Sequence, residues 1–109
     1  INWLILELIL VINKIKLSKL NLFNEHEMEL SIEITMYPLE DKYLPIIENF
    51  IEHLKSYNDI KLEVFPTSTV IYGDFDIVME VLSSSIKWNV NNKNKAVFVT
   101  KFLPNYQAI

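Results

Sequence analysis

Residues 28–37 read MELSIEITMY, and the phase of this stretch decides the fold. Apolar side chains fall on alternate positions (Leu30, Ile32, Ile34, Met36), with Ser31, Glu33, Thr35 and Tyr37 between them. Period two over eight residues marks a strand with one buried face. The apolar row is expected to face helices. The other row is polar and ends in an aromatic.

Working outward, Pro38 ends the strand or marks an edge. Asp41 is placed to cap a helix, and Pro45 falls in its first turn, where a missing N–H does little harm. Across residues 41–57, Ile47, Phe50, Ile51, Leu54 and Tyr57 recur at helical spacing, and Asn58-Asp59 breaks the run. Residues 60–66 alternate again. A Pro66-Thr67-Ser68 link leads to a β-rich run that ends at Tyr72, before Gly73, the only glycine. Asp74 is a second cap candidate. Phe75, Val78, Met79, Leu82 and Ile86 form an apolar stripe over residues 74–88. Residues 89–95 read as a polar loop, residues 96–102 as a last strand, and Pro104 as the end of the ordered region.

The order strand, helix, strand, strand, helix, strand is the split βαβ motif. It predicts an α+β, ferredoxin-like βαββαβ domain over residues 28–104: a four-stranded antiparallel sheet with two helices on one face, followed by a tail at 105–109. Leu30, Ile32, Ile34, Phe50, Leu54, Val70, Val78 and Leu82 are the expected core.

Residues 1–27 differ in kind. Ile, Leu, Asn and Lys supply 19 of these 27 residues. An extra packed helix, a membrane-proximal anchor and a translated upstream region are the three readings of this leader. The apolar run at 1–12 is short for a membrane span, which takes about 20 residues, and lacks the flanks of a signal peptide.

Composition narrows the function. The 109-residue chain is half hydrophobic, carries a net charge of −4, and has no Cys and no Arg. No disulfide or thiolate chemistry is available, and a cytoplasmic location is the default. Acidic balance without arginine argues against nucleic acid, and no membrane partner is expected. One glycine excludes the usual phosphate-cradling loop.

Four segments resemble the small thiamine-binding protein family, long catalogued as a domain of unknown function. They are Ile34-Thr35-Met36-Tyr37-Pro38-Leu39; Thr67-Ser68-Thr69-Val70-Ile71-Tyr72-Gly73 with Asp74-Phe75-Asp76; Val78-Met79; and Ala96-Val97-Phe98-Val99-Thr100-Lys101-Phe102. The resemblance spans about residues 28–104. It implies a ferredoxin-like fold, dimers or tetramers formed through the open sheet face, and binding of thiamine or its hydroxymethylpyrimidine part; it does not imply an enzyme, and neither catalysis nor a resident cofactor is expected. Two places depart from the family pattern. Glu40-Asp41 stand where a glycine is expected, and Phe65-Pro66 where a smaller residue is expected; both touch the implied rim.

The ligand chemistry suggests which residues could bind. Glu33 can face a cation or pair with an aminopyrimidine, or can simply be exposed or interface-paired. Tyr37 can stack on a ring or pack an interface. Thr67, Ser68 and Thr69 offer hydroxyls that can also satisfy local backbone. Phe98 is a ligand wall or, more simply, core. Glu25-His26-Glu27 is a weak metal pattern. His53 reads as a surface residue, and Ser83-Ser84-Ser85 lacks a base. The leading expectation is non-catalytic thiamine or hydroxymethylpyrimidine binding for salvage, delivery or sensing. The alternative is a structural or regulatory homo-oligomer without a small ligand.

Overall fold

The computed structural model describes residues 4–14 and 28–109. Helix α1 covers 4–14, and each of its residues is exposed. The domain follows as β1 (Glu29–Pro38), α2 (Tyr43–Lys55), β2 (Lys61–Val64), β3 (Thr69–Asp74), α3 (Phe75–Asn91) and β4 (Ala96–Pro104). The strands form one antiparallel sheet in the order β2-β3-β1-β4. This is the ferredoxin-like arrangement, with α2 and α3 on one face.

The alternation in β1 sets that face. Leu30, Ile32 and Ile34 are buried and join Ile71, Phe50, Leu54, Val78, Val81 and Leu82 in one core. Asp74 caps α3 as expected, its Oδ2 accepting the Ile77 N–H at 3.2 Å.

Several expectations need correction. Val70 is buried, but it lies opposite Glu33, on the sheet face away from the helices; its neighbour Ile71 pairs with Ile32 and supplies the core contact. Lys42, not Asp41, precedes the first turn of α2, and no side chain caps that turn. Pro45 is then the third helical residue, still among those whose N–H has no intrahelical acceptor. In α3, Met79 is 38% exposed while Ser85 and Asn89 are buried. The inward stripe is therefore rotated toward Val81. Asn89 justifies its burial by donating to the Asn94 carbonyl at 3.4 Å, closing the loop after the helix.

Pro104 does not end the ordered chain. Asn105 turns with a φ of 54° and donates its N–H to the Glu29 carbonyl at 2.7 Å. The tail then crosses β1: Ser31 Oγ donates to the Tyr106 carbonyl at 2.5 Å and accepts the Ala108 N–H at 3.0 Å. Ser31 is thereby fully buried on the open face. Opposite it, Tyr72 is held above its ordinary phenol value by a hydrogen bond to Glu29, with burial and the nearby charge adding to the effect.

No described helix is long and apolar enough to cross a membrane. Since every residue of α1 is exposed, removing residues 1–27 is expected to leave the melting temperature of the domain within about 5 °C, roughly 1 kcal/mol for a domain of this size. Thermal melts of the full and shortened chains check this; a larger drop makes the leader structural.

Candidate functional site

The β2–β3 connection, the end of β1 and α2 border a groove of about 510 Å³. The Phe65 N–H donates to the Ser68 carbonyl at 2.8 Å and tightens the turn. Thr35 Oγ1 donates to the Thr67 carbonyl at 3.2 Å and ties that turn to β1. The floor is apolar, with Ile34, Met36, Ile47, Phe50, Ile51 and Leu54. Three partly exposed aromatics, Tyr37, Tyr43 and Phe65, stand along its walls. Thr67, Ser68 and Thr69 add hydroxyls, and Glu48 is the one charged lining residue among the described residues. An apolar cleft with few polar groups is the usual design of a small-molecule site.

Of the residues singled out in the sequence, Tyr37, Thr67, Ser68 and Thr69 line this groove together; Glu33 and Phe98 do not. Glu33 sits on the open face, where Lys101 approaches its carboxylate at 3.5 Å. With both side chains solvated, that pair adds little stability. Phe98 packs against Phe50, ring centroids 5.2 Å apart at 55°, behind the groove wall. Phe65 lies at the groove, as its place at the implied rim suggests, while Tyr43 and Glu48 are groove residues with no motif to mark them. The signal available for Glu48 was its place one residue after Ile47, at the margin of the apolar stripe.

The other candidates fall elsewhere. Glu25-His26-Glu27 lies outside the described residues, and among the described residues no group of three metal-ligating side chains converges. Ser85 is buried in α3, and its Oγ has no hydrogen-bond partner among the described residues.

His53 is half-buried on the helix layer, stacked on Trp88 at 4.2 Å and 13°, with Tyr57 edge-on. Burial lowers its pKa from the ordinary 6.5. A proton therefore binds the unfolded chain more readily than the folded one. His53's contribution to stability is complete above the ordinary value and is lost as pH falls through the depressed one. The melting temperature should decline on acidification below neutrality, and His53→Phe, which keeps the stack, should remove His53's share of that decline. A slope unchanged by the substitution would count against this assignment.

No protein-family model matches the chain, and no curated protein matches it. Solved structures do. A Thermotoga maritima protein with a provisional thiamine biosynthesis/salvage designation is 26% identical, covering 73% of this chain and 85% of its own, with a TM-score of 0.57. A hypothetical protein from Methanocaldococcus jannascii is 20% identical over 74% of this chain and 84% of its own, at 0.60. A domain of unknown function from Bacillus cereus is 17% identical over 72% and 76%, at 0.53. Together with the strand order, these likenesses identify the domain as ferredoxin-like.

Proposed function

We propose that the groove binds thiamine or its hydroxymethylpyrimidine part, without catalysis, in salvage, delivery or sensing within the cytoplasm. The observation that carries this reading is the composition of the groove among the described residues: an apolar floor, three aromatic side chains on the walls, three adjacent hydroxyl residues and a single carboxylate. Flat heteroaromatic rings match the aromatic walls, a cationic thiazolium gains from their π faces, and an aminopyrimidine finds hydrogen-bond partners in the hydroxyls. The thiamine-related designation of the Thermotoga neighbour supports the same reading. Binding is favoured over chemistry because, among the described residues, neither a second carboxylate nor a histidine joins Glu48 on the groove lining. Titration calorimetry with thiamine and with hydroxymethylpyrimidine tests this. Saturable heat from at least one compound supports it; none from either at millimolar concentration removes it.

A second reading, compatible with the first, concerns the open sheet face. Tyr37 and Val97 are opposite one another on β1 and β4, Val99 is the next outward residue, and all three are about half exposed. An apolar patch on a small domain is a natural contact between copies. The chain then forms a homodimer or tetramer through this face. Val99→Lys is expected to shift the light-scattering mass at tens of micromolar, an arbitrary working concentration, toward monomer by placing a charge in the contact. A wild-type monomer under the same conditions would rule the interface out.

A further inference from the structure

We infer that the groove discriminates against phosphorylated ligands and that Glu48 sets this preference. The inference rests on reading the groove as a thiamine-type site and narrows the ligand to the unphosphorylated form. Among the described residues, Glu48 is the one charged residue on the lining, and no lysine lies there. The chain has no arginine to clamp a phosphate, and the single glycine lies in β3, away from the groove. Lys101, across the sheet, is engaged with Glu33. A phosphate ester brings a charge of about −1.5 to −2 near neutral pH, and in this groove it meets a carboxylate and aromatic walls instead of cations.

One feature of the fold works the other way. The start of α2, at Tyr43 and Leu44, opens on the same groove, and a helix start carries roughly half a positive charge. Pro45 offers no N–H there, and Glu48, in the second turn, brings a full opposite charge. Lys42 precedes the helix but does not line the groove. The balance at the lining is negative, which attracts a thiazolium and repels a phosphate.

The test is calorimetry of the full chain with thiamine, thiamine diphosphate and hydroxymethylpyrimidine, on the wild type and on Glu48→Gln. At about 0.1 M salt the wild type is expected to bind thiamine about tenfold more tightly than the diphosphate, an electrostatic preference that narrows as salt approaches about 1 M. Glu48→Gln should bring the two affinities together, and a circular-dichroism melt matching the wild type shows that the variant remains folded. Equal or tighter diphosphate binding by the wild type overturns the selectivity while leaving the site reading intact. A preference that survives Glu48→Gln unchanged overturns the role of Glu48. Failure of all three compounds to bind removes the site reading itself, and the inference with it.

Discussion

Replacing Phe50 by alanine is expected to lower the melting temperature by roughly 15–30 °C, or to leave the chain unfolded at room temperature. Phe50 is 2% exposed and links three parts of the molecule: it belongs to the core, packs its ring on Phe98 and forms part of the groove floor. Truncating a buried phenylalanine typically costs about 3–5 kcal/mol. A domain this small has total stability of the same order. Phe98→Ala should cost less, because Phe98 packs against the core from a half-buried position. Circular-dichroism melts check both. A loss under about 5 °C for Phe50→Ala would mean that the core is not centred where α2 crosses β1.

Filling the groove should separate binding from folding. Ile47 lines the groove but is only half-buried and lies outside the core cluster. Ile47→Trp directs an indole into space that opens to solvent, so the overpacking cost of a closed interior, about 1–3 kcal/mol, should be largely avoided. Affinity for thiamine and hydroxymethylpyrimidine is expected to fall by at least about 30-fold, roughly 2 kcal/mol, with the melting temperature little changed. Unaltered affinity in a folded variant would place the ligand elsewhere.

The strand that opens the domain was legible because one of its faces is buried and the other is not. The alternation of Leu30, Ile32 and Ile34 therefore carried its own phase. In β3, Thr69, Val70, Ile71 and Tyr72 are all buried. A run apolar on both faces has no visible phase, so the sequence alone does not say whether Val70 or Ile71 meets the helices. The stripe of α3 misled for a related reason. Met79 is apolar yet exposed, while Ser85 and Asn89 are polar yet buried, and the partner that makes Asn89 welcome, Asn94, lies beyond the helix. Residues 105–109 have no periodicity at all; their position depends on Ser31, far away in sequence.

The site divides in the same way. Tyr37 and Thr67–Thr69 stand at strand ends and a turn, where local sequence points to a rim, and they do share the groove. Glu33 stands out in the sequence for its charge, but the pairing of β1 with β4 sets it opposite Lys101 on the open face. The carboxylate in the groove is Glu48, which looks like any solvated helix position until the β2–β3 turn is folded against α2.

The most direct test of the account is a titration of the isotopically labelled protein with thiamine, followed by amide chemical shifts. Groove binding predicts saturable shifts concentrated at Tyr37, Ile47, Glu48 and Thr67–Thr69, with the α1 and β4 edges unaffected. Shifts confined to the open face around Glu33 and Lys101, or no shifts at millimolar thiamine, would contradict it.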